Sequence, residues 1–135
     1  MTSPPALLPS RSPIAAIVLG WLIPGGGHAY GGQWGKAILF FSLICALMAA
    51  GMVIGGGTVI LHYRLWFGAQ LCAGGPTMAL LPISQYFAAS APIDWANRFN
   101  EMGTLYTAVA GLLNLLVVMD AYLMLAHPQR SKENA

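Results

Sequence analysis

Residues 37–61 form a run of 25 residues, AILFFSLICALMAAGMVIGGGTVIL, without one charged side chain, and this run limits the fold more than any other feature. A bilayer's hydrocarbon core is roughly 30 Å thick and takes about 20 apolar helical residues to cross, so the run is long enough to span it with some tilt. Composition points the same way: 57% of residues are hydrophobic and 7% are charged, against about 25% charged in an ordinary soluble domain. So few charges cannot clothe a water-soluble surface. The expected fold class is an all-α membrane protein, a compact bundle of about three to four transmembrane helices with one short or broken segment. The 135 residues leave no room for a large extramembrane domain. The net charge of +2, from six Lys/Arg and four Asp/Glu, is too small and scattered for a nucleic-acid footprint, so nucleic acid is excluded as a partner.

Residues 1–13, rich in Pro and Ser, read as an irregular N-terminal tail, residues 14–126 as a helical membrane domain, and residues 127–135 as a polar tail. Inside the domain the pattern predicts a hairpin over 14–60, a broken or re-entrant segment at 66–83, an interfacial helix near 93–101 and a C-terminal span over 103–126. Helices are expected near 14–30, 37–60 and 103–126. The first apolar run, 14–23, covers only about half a bilayer alone. Its helix must therefore continue through Pro24 and the glycines, or stop short of spanning. No A-x-A pattern follows it, so it is not expected to be a cleaved signal. Cys45 and Cys72 lie in charge-free runs and are expected as unpaired packing residues.

Residues 24–36, PGGGHAYGGQWGK, hold six glycines, a proline and three ring-bearing residues. Glycine admits positive φ and close backbone approach, and Tyr and Trp favour the membrane interface, so Pro24, Gly25, Gly27, His28, Tyr30, Gly32 and Gly35 are expected to build a tight turn at the membrane surface. His28 either fixes that turn through a backbone carbonyl or serves as a ligand. The pattern Pro24-Gly25-x-Gly27-His28-x-Tyr30-x-Gly32, followed by Gly35-Lys36-Ala37 and an apolar helix, resembles the turn of the two-transmembrane hairpin domain. That domain places two residues between its histidine and tyrosine, where this chain has Ala29 alone. The closer resemblance is to a family of small bacterial multi-pass membrane proteins with no assigned activity. It pairs this turn with a second motif, here Gly103-Thr104-Leu105-Tyr106-Thr107, then Ala110-Gly111-Leu112-Leu113-Asn114 and Asp120-Ala121. The resemblance implies a bacterial inner-membrane architecture and transfers no catalytic residue.

Gly51 and Gly55 have the G-x-x-x-G spacing of close helix packing, either within the chain or across a homodimer. In the last span Thr107, Gly111, Asn114, Val118 and Ala121 recur at spacings of four, three, four and three, a helical stripe that should face protein. Asp120 lies off this stripe. An ionisable residue in a membrane segment defaults to a functional or paired role, and Arg11 is its expected partner. Gly74, Gly75, Pro76 and Pro82 break the segment at 66–83. Broken helices serve transporters, but those folds pair two such segments in inverted repeats, and the chain shows neither a second broken segment nor room for a repeat.

Counting cations gives no orientation for three spans. If 66–83 also crosses, Arg11, Arg64, Arg130 and Lys132 share one side against Lys36 and Arg98, and both termini are cytoplasmic. No nucleophile–base spacing or metal-ligand repeat is present, so no enzyme, no metal site and no cofactor are expected. The favoured function is a non-enzymatic accessory, assembly or scaffold subunit, partnered by the lipid bilayer and by other membrane subunits or a second copy. Two alternatives follow: a channel or transporter element using Asp120 and Asn114, and a haem- or chlorophyll-binding subunit with His28 or His62 as axial ligand.

Overall fold

The structure, a computed structural model, describes residues 11–60, 64–90 and 98–127. These residues are all-helical: α1 Pro13–Leu22, α2 Gly26–Tyr30, α3 Trp34–Ile54, α4 Arg64–Leu71, α5 Gly75–Ser90 and α6 Arg98–Ala126. Two of them, α3 and α6, are long and apolar enough to cross a membrane, and less than half of each is buried. At 1.5 Å per residue they measure about 31 and 43 Å.

Helix α6 is the centre of the fold, and α3 runs antiparallel along one side of it. Their contact is set by glycine. A β-carbon on Gly51 would lie 2.8 Å from the Gly103 carbonyl oxygen and 2.6 Å from a Thr107 methyl, and one on Gly103 would lie 2.6 Å from the Gly55 α-carbon. The Gly51/Gly55 pair thus packs inside the chain, against the Gly103–Thr107 turn of α6. Farther along, Ile44 and Met48 of α3 join Ala110 and Val117 of α6 and Ala73 in one buried cluster. Helix α3 ends at Ile54, earlier than the expected 60, because Gly56 and Gly57 take positive φ of 65° and 81° and leave the helical region.

The other side of α6 is covered by two half-length helices arriving from opposite ends. Helix α1 starts with Pro13 at its first position, where the missing N–H costs nothing. It runs antiparallel to α6 from Ala121 toward Asn114, as the packing of Ala16 near Gly27 and Ala121 and of Gly20 on Val118 requires. The chain then reverses at 23–25, and α2 returns along α6 toward Met124. The expectation of one helix over 14–30 is corrected here: Pro24 cannot donate to the ladder, and Gly25, at φ 78°, turns the chain back on itself.

Helix α4 comes from the far end. Gln70 hydrogen-bonds Thr107 at 2.7 Å and Cys72 reaches Asn114. Gly74, at φ 60°, reverses the chain. Helix α5 then returns to the far end, where Ser84 meets Ile60 and Phe87 meets Gly57. The break lies at 72–74, and α5 continues past Pro82 to Ser90.

Helices α1 and α4 therefore meet tip to tip at the middle of α6. The backbones of Gly74 and Gly75 lie against the carbonyls of Trp21 and Leu22, and the Trp21 indole donates to the Leu71 carbonyl at 3.0 Å. End to end the pair covers about 27 Å of α6. The expectation of a single broken segment is thus corrected: the first apolar run is broken as well. Of the predicted interfacial helix near 93–101, residues 98–101 form the first turn of α6, and residues 93–97 lie outside the described residues.

Candidate functional site

Two polar loci are built on α6. The first lies at its C-terminal end, beneath the glycine-rich turn. Gly25 allows the turn to press onto the first turn of α3, since a β-carbon there would come within 3.1 Å of the Ala37 α-carbon. Gly27 lets α2 sit on α6, with a β-carbon position 2.7 Å from the Ala121 methyl and 2.8 Å from the Ala16 carbonyl oxygen. Held this closely, α2 directs His28 inward. The imidazole is 0% exposed, its ring centroid is 5.2 Å from that of Phe40, and Nε2 lies 2.9 Å from Asp120 Oδ2.

An ionised carboxylate only accepts, so the shared hydrogen is donated by His28 Nε2. Nδ1 is buried and finds no hydrogen-bond partner among the described residues. Asp120 itself is 61% exposed, so its second oxygen faces outward with unused acceptor capacity.

The expected Arg11–Asp120 pair is corrected. Arg11 donates to the Tyr30 carbonyl and lies 6.0 Å from the Tyr30 ring centroid. The Gly31–Gly32 turn, with Gly32 at φ 87°, places that carbonyl beside the start of α1, while Asp120 faces α2 and α3. Pro24 is buried at the turn, Tyr30 is half-buried, and Gly35 sits on the open face of α3. His62 lies outside the described residues.

The second locus is the meeting point of α1 and α4. Asn114, 0% exposed, donates through Nδ2 to the Gly20 carbonyl at 3.2 Å and to the Cys72 carbonyl at 2.9 Å. Both acceptors are helix-end carbonyls that their own helices cannot satisfy, so one amide ties both half-helices to α6. Around it, Gln70 donates to the Val59 carbonyl at 3.0 Å as well as to Thr107, Thr77 donates to the Gln70 carbonyl, and Asn100 donates to the Gly55 carbonyl at 3.2 Å. The stripe residues Thr107, Gly111, Asn114, Val118 and Ala121 are all buried, the first two against α4 and α3 and the others against α1 or α2.

Sequence reasoning missed Gln70, Thr77, Ser84 and Asn100. Gln70 was detectable in principle, as a lone amide in an otherwise apolar run where an unpaired polar group is costly. The His28–Asp120 pair joins residues 92 positions apart, and no local pattern announces it.

Chemically, the donors of the central network are directed to the protein's own backbone carbonyls and, from Gln70 and Asn100, also to the Thr107 and Thr58 hydroxyls. Among the described residues no group of three or more His, Cys, Asp or Glu converges as metal ligands. His28 has no exposed ring edge and its Nε2 is taken. If the pair is a structural clasp, Asp120→Leu should lower stability by about 1–3 kcal/mol by leaving a buried imidazole without its acceptor. Asp120→Asn, whose amide oxygen still accepts, should keep most of it. Thermal unfolding of the two variants in detergent checks this, and equal midpoints would refute the clasp.

Residues 15–133 match a family of unknown function, DUF6677. No curated protein and no solved structure is significantly similar to the chain.

Proposed function

The chain belongs to that family of unknown function, and from its geometry we propose a non-enzymatic multi-pass protein of the bacterial inner membrane that acts as an accessory or assembly subunit. The observation that carries this reading is an inverted distribution of polarity. Leu39, Leu65, Leu116 and Leu123 are exposed, while Gln70, Asn100, Thr107 and Asn114 are buried. Buried polar groups bonded to the chain's own backbone are what a bilayer demands of irregular segments. Such use leaves few polar groups for chemistry on a substrate.

In a bilayer α3 and α6 span, and the hairpins α1–α2 and α4–α5 are re-entrant from opposite sides. Arg11 and Lys36 then lie at one end, with Arg130 and Lys132 following α6 in sequence, against Arg64 and Arg98 at the other. By the positive-inside rule both termini face the cytoplasm.

A cleft of about 380 Å³ supports a partner subunit. It is open to the exterior and lined by Leu22, Phe41, Cys45, Met48, Ala49 and Leu80 among others. An apolar ridge from a neighbouring helix fits such a surface, since close packing drives association in lipid. Purification from native membranes in mild detergent is expected to yield a co-purifying membrane protein. Ala49→Trp, which fills the cleft, should release that partner without changing the unfolding midpoint. A chain that purifies alone, at the size of one copy, would refute the subunit reading.

One observation favours a second reading, a channel or transporter element. The C-terminal ends of α1 and α4 meet halfway along α6, and Asn114 Oδ1 and Gln70 Oε1 are buried there without partners among the described residues. Helix C-termini carry partial negative charge, and broken helices present such ends to cations. A cation flux in reconstituted vesicles, lost in Asn114→Leu, would support it. Asp120 is not part of that junction.

A further inference from the structure

At the end of the bundle that holds Asp120, the described lysine and arginine residues are Arg11 and Lys36. Arg11 is engaged by the Tyr30 carbonyl, and His28–Asp120 is the only ion pair among the described residues. Asp120 keeps its second oxygen turned outward on a side chain that is 61% exposed, and Lys36 is exposed as well. Each therefore presents charge that the described fold does not use.

Both charges border one face. An apolar groove of about 240 Å³ runs between α3 and α6, walled by Phe40 and Leu43 on one side and by Leu113 and Leu116 on the other, with Asp120 at its end. Its lining comes from α3 and α6 alone. Leu43 and Leu116 are 53% and 62% exposed. Lys36 precedes Phe40 by four residues and so stands on the same side of α3. His28 contacts both Phe40 and Asp120, which sets those two at one level. Lys36 is then about 6 Å nearer the surface than Asp120, a separation that a lysine side chain spans.

In a bilayer, charges beside an apolar face need partners at their own depth. Two identical chains inserted in one orientation are related by a two-fold axis along the membrane normal, which keeps every residue level with its copy. A face with α3 on one side and α6 on the other then meets itself with α3 of each chain against α6 of the other. Lys36 of each copy faces Asp120 of the other, and Phe40 and Leu43 face Leu113 and Leu116. The face is complementary to itself in charge.

We infer that the α3–α6 face is the seam of a homodimer, closed by two reciprocal Lys36–Asp120 pairs beside an apolar core. The four long helices form a bundle in which every neighbour is antiparallel. Asp120 gives Oδ2 to His28 within its own chain and its outward oxygen to the ammonium of the other, a charge-assisted hydrogen bond. The seam is separate from the cleft of the accessory reading, which lies on the Phe41 and Cys45 side of α3, and the inference rests on the membrane reading.

Two measurements on the full chain test it. Native mass spectrometry of the chain extracted from membranes in mild detergent should give particles of two copies. Lys36→Glu sets like charges against each other at both contacts and should weaken the dimer by roughly a hundredfold, about tenfold for each contact, while Lys36→Arg keeps it. The second measurement locates the seam and leaves both charges in place. Leu43→Cys and Leu116→Cys are made in separate chains, each also carrying Cys45→Ala and Cys72→Ala, and the two are reconstituted together in phospholipid vesicles and oxidised. A disulfide joining one variant to the other is expected.

Particles of one copy, whether with bound lipid or with a different protein on this face, would overturn the inference while leaving the membrane reading intact. So would a dimer unchanged by Lys36→Glu, or a pair of cysteine variants that does not cross-link. An intact, charge-sensitive dimer without any other protein would support the seam and overturn the accessory reading alone. A chain found only in the soluble fraction would overturn the membrane reading and the seam with it.

Discussion

Gly111→Leu is expected to destabilise the protein by more than about 3 kcal/mol, at the upper end of what overpacking costs. At this position α4 rests directly on α6. A β-carbon would be driven into the Ala69 carbonyl and to 3.2 Å from the Gln70 α-carbon. Backbone cannot rotate aside as a flexible side chain does. Separating the helices would also break the Gln70–Thr107 and Asn114–Cys72 hydrogen bonds one turn to either side. Leu112, the next residue, is exposed, and Leu112→Phe should leave the midpoint nearly unchanged. Thermal unfolding in detergent compares the two, and similar midpoints would refute this packing of α4.

The second large effect is expected at Asn114. Asn114→Leu removes the side-chain amide that donates to both the Gly20 and the Cys72 carbonyls. Two hydrogen bonds are lost at once, for a combined cost of about 2–4 kcal/mol if each contributes at the upper range for membrane helices. The loss should also be visible locally. Cys72 lies at the tip of the α4–α5 hairpin and is a partly buried free thiol, so its reaction with a membrane-permeant maleimide should accelerate when the tip detaches. Cys45, on α3, serves as the internal reference. Unchanged Cys72 reactivity in a destabilised Asn114→Leu variant would mean that the amide does not tether the hairpin.

Much of this architecture is legible in the chain. The two spanning-length helices follow from charge-free runs, and the buried stripe on α6 follows from residues at helical spacing with small or hydrogen-bonding side chains. The turn at 24–35 is legible because glycine and proline state their backbone requirements locally. The early end of α3 was not: Gly56 and Gly57 continue an apolar run, and hydropathy does not register positive φ.

Pairing is where sequence reasoning stopped. Asp120 was marked by its cost in an apolar helix and His28 by its place in a glycine-rich turn, yet Arg11 was the expected partner because it is a permanent cation on the appropriate side. The fold gives Arg11 the Tyr30 carbonyl instead and buries His28 against α6. That choice depends on the return of α2 along α6, which Gly27 permits by its contact with Ala121.

The sequence by itself determined an all-helical chain, a glycine turn and a polar stripe, because helical period and glycine content are local properties; of the three to four spans it led one to expect, two helices among the described residues are long and apolar enough to cross a membrane. Only the tertiary structure decided that the two short apolar segments are opposed hairpins meeting at Asn114, and that Asp120 belongs to His28. Both arrangements join groups far apart in the chain, and both are selected by the need of broken helix ends and buried polar side chains for hydrogen-bond partners.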